Sequence, residues 1–228
     1  MVEAIVRGGA DGMEIGIPFS DPMADGLTLQ RANEKALSQG ATTLTALHLA
    51  GHARRLSDRL AINLMSYYNP VLAFGEAAFC RAAAEVGADA LIVPDLPPEE
   101  AEPLRAACAE AGLAYIFMLS PNSTPERVRL VAEMASGFIY CVSLVGVTGA
   151  RDQLASDVGE FLARVRAVTS LPLVVGFGIS RPEHVHALRG RADGVIVGGA
   201  LADVIESAPG LRRAATVQAW VQELKGAT

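Results

Sequence analysis

Along the chain, short apolar runs rich in β-branched residues alternate with longer Ala/Leu/Glu/Arg segments whose apolar positions recur at helical spacing. The runs at 12–17, 61–66, 90–93, 114–118, 138–142, 172–175 and 194–197 predict seven strands. Segments at 76–86, 98–111, 125–134, 158–168 and 181–188 predict helices between them, and 1–7 reads as the tail of another. Residues 200–206 and 211–224 predict a short helix and a final one, parted by Pro209-Gly210. This alternation specifies a parallel sheet with helical crossovers. A weak repeat agrees: Gly9-Ala10-Asp11-Gly12, Gly87-Ala88-Asp89-Ala90 and Ala192-Asp193-Gly194 each close a helix and enter a strand.

Seven strands in 228 residues suit a TIM-type (β/α) barrel lacking one strand, since such barrels have eight in about 250 residues. A seven-stranded open sheet is the competing architecture. No linker or low-complexity tract divides the chain, so 1–228 is expected to form one domain.

The first predicted strand breaks the apolar pattern. Met13, Ile15 and Ile17 fall on one face, Glu14 and Gly16 on the other, and a Pro/Asp/Gly loop carrying Asp21 and Asp25 follows. A carboxylate inside such a strand is costly unless paired or neutralised, and burial pushes its pKa towards neutrality, which suits a group that both takes and gives a proton. The bland reading of Glu14 is a structural carboxylate inside the barrel. For Asp25 it is an ordinary Asp-Gly turn.

Composition narrows the classes. Hydrophobic residues make up 51% of the chain, enough for a substantial core. The net charge of -6, with only 19 Lys and Arg and no basic stripe, argues against nucleic acid. No apolar run approaches the roughly 20 residues of a membrane helix, and no signal peptide opens the chain. Cys80, Cys108 and Cys141 lack metal or redox spacing and read as reduced core thiols, so a cytoplasmic protein is expected. His48, His52, His184 and His186 lie in helical segments without metal-ligand character, and no metal is expected. Ser143 lacks a hydrolase elbow, and neither a Rossmann nor a P-loop fingerprint occurs.

Three glycine clusters follow late strands: Gly146-Val147-Thr148-Gly149-Ala150, Gly176-Phe177-Gly178-Ile179-Ser180 and Gly198-Gly199-Ala200. Each alone could be a tight turn. Together, with helices predicted after Gly178 and Gly199, they fit the phosphate site that barrels form after strands 7 and 8. Tyr140 alternates with Phe138 and Val142 and is either a core aromatic or a hydroxyl aimed into the barrel. The runs at 66–71 and 94–100 follow strands and share the rim of Asp25 and the glycine loops.

Residues 14–26 are close to E-x-G-x-P-F-S-D-P-x-A-D-G, a signature of the tryptophan synthase alpha subunit family, which the chain resembles over essentially its whole length. Segments 64–70, 93–100, 140–150, 176–180 and 198–200 follow in family order. The resemblance implies retro-aldol cleavage of indole-3-glycerol phosphate to indole and glyceraldehyde 3-phosphate, without metal or organic cofactor in this subunit. It implies Glu14 as the mobile acid/base and Asp25 as acceptor of the indole N–H. Substrate would be lined by Tyr140, Thr148, Gly149, Phe177, Gly178, Gly198 and Gly199, with Thr148 on a mobile loop closing over the Asp25 loop. It further implies a pyridoxal-phosphate-dependent beta subunit as partner, in an alpha2-beta2 heterotetramer. A non-catalytic allosteric subunit and another sugar-phosphate barrel enzyme are the alternatives.

Three departures from the family pattern stand out. Gly199 replaces the usual serine, removing a phosphate-binding hydroxyl, and Leu27 stands where proline is usual. The family's N-terminal helix, first strand and most of its first barrel helix have no counterpart before Met1, which predicts exposed sheet edges and an isolated chain that is unstable or inactive.

Overall fold

A computed structural model describes residues 1–142, 151–176 and 178–228, with backbone alone at 151–157. The strands are β1 (Gly12–Gly16), β2 (Ala61–Met65), β3 (Ala90–Ile92), β4 (Ala114–Ile116), β5 (Met118–Leu119), β6 (Ile139–Val142), β7 (Leu173–Gly176) and β8 (Gly194–Ile196). The helices are α1 (Val2–Arg7), α2 (Leu27–Ser38), α3 (Thr43–Leu56), α4 (Tyr68–Phe74), α5 (Glu76–Glu85), α6 (Glu102–Glu110), α7 (Pro125–Met134), α8 (Arg151–Arg166), α9 (Pro182–His186), α10 (Gly199–Ser207) and α11 (Arg213–Lys225).

All pairings are parallel, in the order β1-β2-β3-β4 and β5-β6-β7-β8. The predicted strand at 114–118 is divided at Phe117, whose carbonyl still accepts from the Tyr140 amide at 3.0 Å, so a single residue carries the sheet from one half to the other. The two faces of the strands separate as the alternation requires. Met13, Ile15, Ile62, Leu64, Leu91, Tyr115, Phe117, Ile139, Leu173 and Val175 pack outwards beneath the helices. Ala90, Ile92, Ile116 and Tyr140 meet inside the barrel, with Met65, Phe138, Val142 and Ile196 against them.

Among the described residues no ladder joins β8 to β1, and all three residues of β8 are only half-buried. The helical layer does meet across this gap. α1 packs on α11, where Ala4, Val217 and Val221 form a small core of their own with Leu201, Val204 and Trp220.

The repeated helix-to-strand turn has a polar function at the strand starts. Asp89, ahead of β3, accepts from the Ile62 amide at the start of β2 at 2.7 Å and from Arg54 of α3 at 2.6 Å. Arg54 also donates to the carbonyls of Gly87, Ser57, Asp58 and Leu60. Asp193 does the same for β7, taking the Leu173 amide at 2.8 Å and the Arg166 guanidinium of α8. Asp11, the third member, instead pairs with Lys225 of α11 at 2.6 Å. Gly87 holds a φ of +86°, where a side chain would strain the backbone and strike Arg54. The three cysteines are buried and free, with Cys80 Sγ 3.5 Å from Cys108 Sγ. No helix among the described residues is long and apolar enough to cross a membrane.

Candidate active site

The interior position between Met13 and Ile15 is Glu14, placed beside Asn63 of β2 by the β1–β2 register. The residue is half-buried, but its Oε2 is sealed from solvent and has no hydrogen-bond partner among the described residues. Burial, with repulsion from Asp25 added, lifts the Glu14 carboxyl from about 4.5 to about 7. An orphaned carboxyl oxygen in a folded core costs free energy and is what a site kept open for a reacting partner presents.

Asp25 comes from the loop at 18–26, which turns twice: the Met23 amide donates to the Asp21 carbonyl at 2.9 Å, and the Asp25 amide to Pro22 at 3.0 Å. Burial raises its pKa, while hydrogen bonds from Asn33 and Tyr67 oppose the rise. The loop is therefore no idle Asp-Gly turn. The Tyr67 hydroxyl accepts from the Ala24 amide at 2.9 Å, and its ring lies 5.5 Å from that of Phe19. Asn33 of α2 donates to Asp25 Oδ2 at 2.9 Å and to the Leu29 carbonyl at 3.0 Å, and accepts from the Phe19 amide at 3.3 Å.

Tyr140 points into the barrel from β6 and is buried. Its phenol is held above its ordinary value by burial and then by the charges of Glu14 and Asp25, so all three share one pocket. Gly176 of β7 makes room for it. A Cβ there would stand 2.5 Å from Tyr140 Cε1 and Cζ, closer than real contacts allow.

Gly178 follows β7 in the left-handed region, with a φ of +75°. Gly198 caps α10 and Gly199 opens it, directly after β8, so the expected helix start at the end of the last strand is present. A Cβ on Gly198 would meet Leu29 at 3.5 Å, whereas one on Gly199 would meet nothing within 4 Å. Thr148, Gly149 and Phe177 lie outside the described residues. Among the described residues no group of three or more His, Cys, Asp or Glu is placed to hold a metal.

Sequence reasoning placed Tyr67 only within a rim segment and missed Asn33. Tyr67 lies two residues past the end of β2, where side chains reach the rim, so its signal was available. Asn33 carried none beyond being a polar residue of low helix propensity inside a helix. Asp21 bonds its neighbour Ser20 on the exposed side, and Asp95 accepts from the Tyr68 amide at 2.9 Å, bracing the start of α4.

The family described as Tryptophan synthase alpha chain matches residues 1–228. A tryptophan synthase alpha chain of Roseiflexus sp. (strain RS-1) is 48% identical over 226 residues, covering 99% of this chain and 87% of that relative. That of Geobacter sp. (strain M21) is 46% identical, covering 99% and 84%. The crystal structure of tryptophan synthase subunit alpha from Legionella pneumophila str. Paris superposes with a TM-score of 0.88 at 36% identity, covering 98% and 84%. Tryptophan synthase from M. tuberculosis in its aminoacrylate-bound form gives 0.89 at 34%, covering 99% and 84%. The parallel α/β fold is thus that of the TIM-barrel alpha subunits, and the chain belongs to the tryptophan synthase alpha chain family, as an indole-3-glycerol-phosphate lyase needing no cofactor of its own.

Proposed function

We propose that Glu14 and Asp25 carry the retro-aldol cleavage of indole-3-glycerol phosphate in this chain. The observation that supports this most is the orphaned Glu14 carboxyl, with a pKa of about 7, facing Asp25 across one pocket. Protonated Glu14 gives its proton to indole C3, and the positive charge that develops on the ring nitrogen is met by the Asp25 carboxylate, which accepts the N–H. The glycerol hydroxyl beside the scissile bond then yields its proton to Glu14. A carbonyl forms there, the carbon–carbon bond breaks, and its electrons return to the ring, releasing indole and glyceraldehyde 3-phosphate. Glu14 ends in the protonation state in which it began. Tyr140 packs against the substrate beside both carboxylates. Main-chain N–H groups at Gly149, Gly178, Gly198 and Gly199 hold the phosphate, and Thr148 and Phe177 complete the lining.

Because α1 packs on α11 across the gap beside β1 and β8, the chain incubated with indole-3-glycerol phosphate is expected, in place of the inactivity anticipated from the sequence, to release indole and glyceraldehyde 3-phosphate in equal amounts, measured by chromatography. Absence of both products from a folded sample would refute the reading. The open space at Gly199 gives a second expectation. Gly199→Ser adds a hydroxyl at the start of α10 without a clash and should lower KM by about fivefold, the effect of one hydrogen bond of about 1 kcal/mol, with kcat unchanged in steady-state assays.

A pyridoxal-phosphate-bearing beta chain as partner, in an alpha2-beta2 heterotetramer, is part of the same proposal, as are a single domain over 1–228 and a cytoplasmic location. The rim supports the partner: Met23 is 79% and Leu27 74% exposed at the Asp25 loop, and Leu27 lines a groove with Phe19, Pro22, Gln30 and Arg31.

A further inference from the structure

The two carboxylates of the site face each other without a cation: among the described residues neither Glu14 nor Asp25 is in an ion pair. Something else must decide which of them is charged. The titratable groups facing Asp25 are Glu14 from β1, Tyr67 from the segment before α4 and Tyr140 from β6. α10, which packs on α2, carries Asp203 and Glu206. Two neutral amides of α2 reach Asp25: Gln30 Nε2 donates to its main-chain carbonyl at 2.8 Å, and Asn33 donates to the carboxylate itself. Of the three hydrogen bonds of Asn33, two span both ends of the loop, at Phe19 and Asp25, the third holds the amide to Leu29 of its own helix, and together they fix the amide's orientation. The oxygen is taken by the Phe19 N–H, which leaves the NH2 facing Oδ2 of Asp25.

We infer that Asn33 is a positioning residue that, beside the Tyr67 hydroxyl, keeps Asp25 as the anion of the pair and thereby leaves the proton on Glu14, an inference that rests on the roles proposed above for the two acids. An amide N–H donates to a carboxylate far more strongly than to a neutral acid, so it favours the charged form of Asp25. An ionised Asp25 in turn raises the proton affinity of Glu14. Asparagine is the fitting residue type. Aspartate at 33 would keep the Phe19 contact but set a second carboxylate on Asp25, and alanine would lose all three bonds.

The test compares Asn33→Ala and Asn33→Asp with wild type by kcat/KM for indole release against pH, with circular dichroism as the folding control. In Asn33→Ala the acidic limb moves to higher pH as Asp25 protonates more readily. The basic limb moves to lower pH as Glu14 loses a charged neighbour, so the profile narrows from both sides and its maximum falls by about tenfold or more. In Asn33→Asp the acidic limb moves further still, although the Phe19 anchor remains. Unmoved limbs in either folded variant, or wild-type behaviour of Asn33→Asp, would overturn the inference and reduce Asn33 to a loop brace. A measurement on the wild-type chain is independent of how the variants fold. The Asn33 side-chain amide resonances should titrate together with the Asp25 carboxyl carbon, and amide shifts indifferent to that titration would also overturn it. If wild type releases no indole, the proposed function fails, while the NMR titration still decides the role of Asn33.

Discussion

Glu14→Gln should cut indole release by about a thousandfold with little change in KM, since the amide matches the acid in shape but cannot pass a proton between hydroxyl and ring. Wild-type kcat should decline as pH rises through about 7, where Glu14 loses the proton that the cycle begins with. Stability should move the opposite way in the variant. Between pH 4.5 and about 7 the native chain holds a proton on Glu14 that the unfolded chain has already shed, so wild-type stability falls as pH rises across that window and levels off above it. Glutamine does not titrate. Glu14→Gln should therefore be more stable than wild type above pH 7, by up to about 3 kcal/mol, and lose this advantage below pH 4.5. Urea denaturation at pH 8 and pH 4.5, beside the indole assay, checks both halves. Equal activity in variant and wild type would remove Glu14 from the mechanism.

Gly176→Ala should be nearly as damaging although it touches no reacting atom. Its added Cβ falls within 2.5 Å of the Tyr140 ring. The two backbones cannot separate easily, because β6 and β7 are paired from Ile139↔Leu173 to Val142↔Gly176. The ring must swing into the space shared by Glu14 and Asp25. Overpacking of this kind costs about 1–3 kcal/mol in stability, and a reacting group displaced by an ångström costs about a hundredfold in rate. The discriminating measurement is the double variant Gly176→Ala/Tyr140→Leu, which should regain most of the lost melting temperature while kcat/KM remains depressed. A single variant with wild-type kcat/KM would show that the pocket accommodates the methyl.

What the sequence disclosed divides along the range of the interactions involved. Strands announced themselves as short apolar runs rich in β-branched residues, and Glu14 was conspicuous because it interrupts the first of them. The predicted strand at 114–118 hid its break, since Phe117 is as apolar as its neighbours and only its pairing differs. The helix predicted from residue 98 begins instead at Glu102, because residues 97–101 are taken up by turns at Pro97 and Pro98. α2 was not among the predicted helices: its apolar face is short, made of Leu29, Ala32 and Ala36, and none of its residues is fully buried. α4 was masked by the turn-like run Tyr67-Tyr68-Asn69-Pro70. Asp25 looked like a turn former and is one, and only the folded neighbourhood of Glu14, Tyr67 and Asn33 makes it more. Among the described residues no ladder joins β1 to β8, and the contact of α1 with α11 across them was not anticipated.

Asp89 and Asp193 tie down the entrances of β2 and β7, at the end of the barrel opposite the carboxylate pocket. Anchorage and chemistry therefore draw on different residues. The rim segments after β2 and β7 are free to change length, composition and partner over evolutionary time, because the strands that present them are gripped from below by aspartates that never meet a substrate.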